Sequence, residues 1–227
     1  MRSRSSQPQV SSANAEAFRR LFVERVHLLL QIAYSRMQPA DFAMTKEPDI
    51  SGEIRRHIRE FLDAGPLEPW MKYFTPLNED PVDEAPQLFR KKRRIGEARR
   101  LLDLHLECSE RCPRTRFVFE AKRLHRSGAA AIYLGEEGLG RFIAGHYARS
   151  DFAAGMLGFV QVGTPGAWAD EIGHKLRLGS RTYHVSGGRC WERVRVNKGP
   201  EHTYLSEHLR ASLGLPLGIY HTLLLFH

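Results

Sequence analysis

The chain has 227 residues and a formal net charge of +8 at pH 7, from 34 lysines and arginines against 26 acids. That length suits one domain with a sizeable core, and the basic excess points to a polyanionic partner, nucleic acid ahead of an anionic membrane surface. Three cysteines argue against a secreted disulfide scaffold, and no apolar run approaches the roughly 18–20 residues of a membrane span, so a cytoplasmic location without a membrane partner is expected.

Residues 1–12 are mostly Ser, Arg, Gln and Pro and read as a mobile basic arm without the apolar segment of a signal peptide. Residues 13–227 read as a single domain. Phe18, Phe22, Val26, Leu29 and Ala33 recur every three to four residues, which predicts a helix over 13–37 with one apolar stripe. A second helix is predicted over 49–63, with Ile50, Ile54, Ile58, Phe61 and Leu62 buried, Asp49 or Ser51 as its N-cap and Gly65-Pro66 as its stop. Glu47 precedes it and Glu53 lies in its first turn. Residues 70–75 predict a short strand, and 77–89 a Pro-rich, acidic loop. The loop runs into the basic cluster Arg90, Lys91, Lys92, Arg93 and Arg94. A solvated segment and a phosphate contact are both open readings of that cluster.

Residues 99–124 then read as two strands joined by a turn. Alternation puts Leu102, Leu104 and Leu106 on one face of the first strand and Asp103, His105 and Glu107 on the other. On the second, Phe117, Phe119 and Ala121 share a face, and Arg116, Val118, Glu120 and Lys122 share the opposite one. In a hairpin Asp103 and Glu120 can converge beside Lys122, and two carboxylates with a lysine suit a hard divalent cation and an activated water. A salt-bridged strand pair is the plainer alternative. Cys108 and Cys112 flank the turn, and a zinc site there would need Cys190 and a histidine as well.

Residues 124–135 read as a loop containing Tyr133, and 136–149 as a helix whose buried stripe is Leu139, Phe142, Ile143, His146 and Tyr147, with Arg141 off it. The apolar run 156–162 predicts a strand covered on both faces. Thr164-Pro165 looks like an N-cap and first helical residue, followed by Trp168, Ile172 and Leu176 on one helix face. Residues 180–189 are turn-like, and 191–196 and 217–226 predict strands, with His208 and Arg210 on a strand face between them. His202, His208 and His221 read as structural rather than substrate-binding. Helices flanking a mixed sheet give a three-layer α/β/α sandwich.

The order helix, three strands, helix, strand over about 45–165, with Asp103 on one strand and Glu120-Ala121-Lys122 ending the next (FVFEAKRL), resembles the PD-(D/E)XK nuclease superfamily. The longer run EPDISGE…FVFEAKRL…YLGEEGLGRFIAGHYA…GMLGFVQ resembles an uncharacterised bacterial branch of it, associated with genome defence. Leu102 stands where the motif has proline. The resemblance implies a restriction-endonuclease-like core, αβββαβ, with an added N-terminal helix and C-terminal strands. It implies a metal-dependent endonuclease or exonuclease that hydrolyses phosphodiester bonds, in DNA more than in RNA. Asp103, Glu120 and the Ala121 carbonyl would hold Mg²⁺ or Mn²⁺, Lys122 would orient the attacking water, and Glu47 or Glu53 would complete the catalytic set. Lys91, Lys92, Arg93, Arg94, Arg123 and Arg141 would grip the nucleic acid. A homodimer, or a partner protein of a defence system, fits the same reading. The alternatives are a catalytically silent nucleic-acid-binding subunit and an RNA-directed nuclease.

Overall fold

The computed structural model describes residues 12–65, 68–77, 103–111, 114–210 and 213–227. Residues 1–11 of the expected arm, the basic cluster with Lys91, Lys92, Arg93 and Arg94, and Cys112 lie outside them. The predicted apolar stripes become helices α1 (Ser12–Ser35) and α2 (Glu47–Asp63). Phe22, Val26, Leu29, Ala33, Ile50, Ile54 and Ile58 are all buried, as their spacing requires.

Among the described residues, seven strands form one mixed sheet: β1 (Phe74–Leu77), β2 (Leu104–Cys108), β3 (Thr115–Leu124), β4 (Ala153–Val160), β5 (Glu192–Arg193), β6 (Thr203–Leu209) and β7 (Pro216–Leu225). Their order across the sheet is β1-β2-β3-β4-β7-β6-β5. The first three pair antiparallel, β4 runs parallel to β3 and β7 parallel to β4, and β6 and β5 return antiparallel. Three further α-helices, α3 (Ala129–Leu134), α4 (Leu139–Ile143) and α5 (Pro165–Leu178), and 3-10 turns at Pro39–Phe42 and Met71–Tyr73 complete the described elements.

Strand alternation divides the interior into two cores. Phe117, Phe119 and Ala121 of β3 pack into a core with α1 and α2. Val118 and Leu124, from the other face of the same strand, pack with α3, α4 and α5. Every residue of β4 is buried, which suits a parallel strand covered on both sides. Among the described residues, no helix is long and apolar enough to cross a membrane.

Several boundaries differ from those read in the sequence. Helix α2 begins at Glu47, with Lys46 in the cap position and Pro48 in the first turn; neither Asp49 nor Ser51 caps it, and Ser51 is buried inside. Residues 71–73 form a 3-10 turn, and strand β1 starts only at Phe74. The segment read as a loop around Tyr133 holds α3, built on three alanines, the strongest helix formers. The helix expected over 136–149 shrinks to five residues. Its glycines end it: Gly145 takes φ +71°, Ala148 follows at φ 49°, and His146 turns outward, exposed rather than in the core. Thr164 does cap α5, its Oγ1 accepting the Ala167 N–H at 3.2 Å. Cys108 and Cys190 pack into opposite cores, so the zinc alternative loses its third ligand.

Two buried polar groups tie the distant elements together. Arg210, 2% exposed, donates to the carbonyls of Arg149 (2.7 Å), Pro216 (3.0 Å), Leu215 (3.3 Å) and Ala148. His221 and His208, rather than lying at a sheet edge, are fully buried and joined through Ser206 Oγ, which lies 2.7 Å from His221 Nε2 and 2.6 Å from His208 Nε2. One proton assignment runs through the network. Tyr133 O–H is shared between His221 Nδ1 (3.1 Å) and the Met156 carbonyl (3.3 Å), His221 Nε2–H donates to Ser206, Ser206 O–H to His208, and His208 Nδ1–H to the Tyr183 carbonyl (2.7 Å). Both imidazoles are then neutral, in line with burial lowering His208 to about 4 and His221 well below its ordinary value.

Candidate active site where two strands part

The pairing of β2 with β3 stops at Leu104 and Phe119. Beyond that point β3 continues to Leu124 with β4 as its one strand partner among the described residues. Its backbone N–H groups at Ala121 and Arg123 therefore face an edge that β2 has left, and buried N–H groups need acceptors. Two acidic side chains supply them. Asp103 Oδ2, just before β2, accepts the Ala121 N–H at 2.7 Å. Glu47 Oε1, at the start of α2, accepts the Arg123 N–H at 2.7 Å. The Ala121 carbonyl belongs to the same edge of the strand, because a residue in a strand presents its N–H and C=O to one side.

Glu120 points from β3 to the α4 side and is 1% exposed. Lys122 Nζ donates to its Oε1 at 2.6 Å, and Arg141 Nη1, from α4, lies 3.2 Å from the same carboxylate. Arg141 also donates to Glu137 and to the Tyr147 hydroxyl. Burial is the main reason the Glu120 carboxyl rises from its ordinary 4.5 to about 7; the charge of Asp103 adds to this, while Lys122 and Arg141 oppose it. Asp103 is also raised, first by burial and then by the nearby Glu47 charge, against the Ala121 hydrogen bond and Lys122. Tyr147 is pushed up by burial and by the Glu120 charge.

The fold thus brings Asp103, Glu120, Ala121, Lys122, Glu47 and Arg141 together. It does not bring Glu53. Six residues along α2, Glu53 stands about 9 Å up the axis and about 240° around it from Glu47, paired with Arg56 at 2.5 Å and His57 at 3.2 Å. Between the two helix acids, the site takes Glu47. Arg123 joins through its backbone, and its guanidinium makes no ion pair among the described residues. Arg141, read as a phosphate ligand, is engaged by Glu120, Glu137 and Tyr147.

Sequence reasoning missed Glu137 and Tyr147. The i,i+4 spacing of Glu137 and Arg141 was a signal for the first. Nothing local signals the second, because Tyr147 returns to Arg141 only through the left-handed turn at Gly145. Compared with family models, curated proteins and solved structures, the chain gives no match.

The donor chemistry suits a hard cation: two carboxylates and a strand-edge carbonyl are the oxygen ligands that Mg²⁺ takes, usually one or two carboxylates beside retained waters. The buried Glu120 is raised further by the Asp103 charge, and Asp103 in turn by Glu47, so a cation placed among these acids would meet three carboxylates that disfavour one another's charge. Among the described residues, no three acidic, histidine or cysteine side chains form a ready-made cage.

Proposed function

We propose that this chain hydrolyses phosphodiester bonds of DNA with a bound divalent cation, at the site where β2 and β3 part. The observation that carries this reading is the pairing of Asp103 with the Ala121 N–H beside a buried Glu120 held by Lys122 at 2.6 Å. An acid just before β2, outside the strand on which the sequence placed it, and an acid and a lysine on β3 fit the PD-(D/E)XK resemblance. So does the run of α2, an antiparallel β1–β2–β3 meander, helices, and a β4 parallel to β3. On that reading the sheet, with α1 and α2 on one face and α3 to α5 on the other, is a three-layer α/β/α sandwich around a restriction-endonuclease-like core. A role in genome defence rests on the resemblance alone.

Asp103, Glu120 and the Ala121 carbonyl would hold Mg²⁺ or Mn²⁺. Such a cation supplies Lewis-acid polarisation of a phosphoryl oxygen and a lowered pKa for a bound water. Lys122 keeps Glu120 aligned and places positive charge where charge develops on the phosphoryl group. Glu47 fixes the end of β3 through the Arg123 N–H. Arg141 holds Glu120 from the α4 side.

A second reading, a silent nucleic-acid-binding subunit, is favoured by the closed ion-pair set, since Lys122 and Arg141 are both engaged by one carboxylate. Incubation of the purified chain with duplex DNA and Mg²⁺ or Mn²⁺ separates the two. Cleavage by the wild type is expected, falling about 10²–10³-fold in Lys122→Ala, the usual loss on removing one charge-stabilising donor. It should be abolished in Glu120→Ala, with both variants folded by circular dichroism. Undiminished cleavage in either variant would sink the proposal, and salt-sensitive binding without cleavage under any divalent metal would support the silent reading.

A further inference from the structure

We propose that the loop joining β5 to β6 is a second contact for the phosphodiester backbone of DNA, made by Arg195 and Lys198 with Arg193 beside them. The inference takes the identity of the polyanion from the proposed function and otherwise stands on the loop itself. Residues 193–196 and 198–201 line a groove of about 620 Å³ that carries three cations against one acid. Glu201 pairs with Arg193 at 3.0 Å. Arg195 and Lys198 are exposed and make no ion pair among the described residues.

The loop is anchored rather than dangling. Val196 and Pro200 are buried. Gly199 lies against α1 so closely that a Cβ there would stand 2.9 Å from His27 Cβ. Lys198, just before it, takes the left-handed conformation with φ 55°. Cations on a fixed loop lose little freedom when they meet a phosphate, which favours binding.

Register puts this loop at the same end of the sheet as the candidate active site. Lys122 pairs with Gly158, and Gly158 with Leu223. The Leu223 N–H donates to His202 O, and the Val194 N–H to Thr203 O. The base of the loop is thus level with Lys122, four strands away, or about 19 Å at about 4.8 Å per strand. At about 3.4 Å per nucleotide along one strand, that span is about six nucleotides. In open α/β sheets this end, the carboxyl end of the parallel strands, is where ligands sit. One duplex lying across the end would meet both places.

Charge on an edge strand also discourages pairing with a second sheet, a role that either sign of charge fills. Charge reversal separates that role from phosphate contact. The test is fluorescence anisotropy with a labelled 20-base-pair duplex, in EDTA and again in Ca²⁺, across a salt series. The proteins are the wild type, Arg195→Glu/Lys198→Glu, and a control reversal on the far side of α5, Arg177→Glu/Arg181→Glu. We expect the loop variant to bind at least about tenfold more weakly with a log–log salt slope shallower by about 2, the two lost phosphate contacts. The control should change by less than about threefold, with melting curves confirming that both variants fold. Unchanged binding by the loop variant, an equal loss in the control, or no binding by the wild type would each overturn the proposal. Wild-type binding without Mg²⁺-dependent cleavage would instead overturn the hydrolytic reading and leave this one standing. Cleavage with unaltered affinity in the loop variant would do the reverse.

Discussion

Burial and the charge of Asp103 lift the Glu120 carboxyl to about 7, so near neutral pH this acid is poised between its two forms. The folded state binds the proton more tightly than the unfolded chain, where the value is near 4.5. Its contribution to stability is therefore complete below about 4.5 and is lost as pH rises towards 7. Glu120→Gln removes that slope. In urea titrations the wild type is expected to lose about 2–3 kcal/mol relative to this variant between pH 5 and pH 8, at about 1.36 kcal/mol for each tenfold difference in proton affinity between folded and unfolded chain. Parallel stability curves for the two proteins would show that Glu120 does not titrate in this way. The buried histidines act in the opposite sense: neutral in the fold, they take up protons more readily when unfolded, so their contribution falls as pH drops below 6.5.

At the scale of elements, Ser206 is the one hydroxyl between two imidazoles, joining β6 to β7. Ser206→Ala leaves a buried donor on His221 and a buried acceptor on His208 unmatched. The expected cost is about 1–3 kcal/mol, measured by denaturant unfolding at pH 8, where both rings are neutral. A loss under about 0.5 kcal/mol would mean that the rings find other partners.

The elements also show what a sequence can and cannot reveal. Alternation on β2 and β3 was legible because each face of the sheet is buried against different helices, so Phe117 and Phe119 had to share one side and Val118 and Glu120 the other. The stripes of α1 and α2 and the cap at Thr164 were legible for the same local reasons. Three features were not. The choice of Glu47 over Glu53 depends on where α2 meets the end of β3, which no local spacing encodes. The breaking of the 136–149 helix depends on how tightly the chain turns after α3, where a Cβ at Gly138 would run into the Tyr133 carbonyl, and on the left-handed turn at Gly145. The histidine–serine chain depends on the register of β6 against β7, set by strands far apart in sequence.

Across the whole molecule, β3, β4 and β7 each contribute side chains to both cores. Neither core can come apart without exposing strands that the other needs, so the described residues are expected to unfold as one unit. Trp70 reports on the core with α1 and α2, and Trp168 and Trp191 on the other. In Trp70→Phe, and separately in Trp168→Phe/Trp191→Phe, the fluorescence midpoint should coincide with the far-ultraviolet circular dichroism midpoint of the same variant. Midpoints that separate by several degrees would show two independently melting halves.

The Arg210 guanidinium gives this unity a mechanical form. On one side it grips the carbonyls of Ala148 and Arg149; on the other, those of Leu215 and Pro216 at the entrance to β7. The residue before Ala148 is Tyr147, which holds Arg141, which holds Glu120. One planar cation is therefore the rivet between the β6–β7 turn and the carboxylate of the candidate site. A lysine, with a single point of attachment, would keep the charge and lose the rivet, and slack introduced there would reach Glu120 along three residues without any change in the site itself.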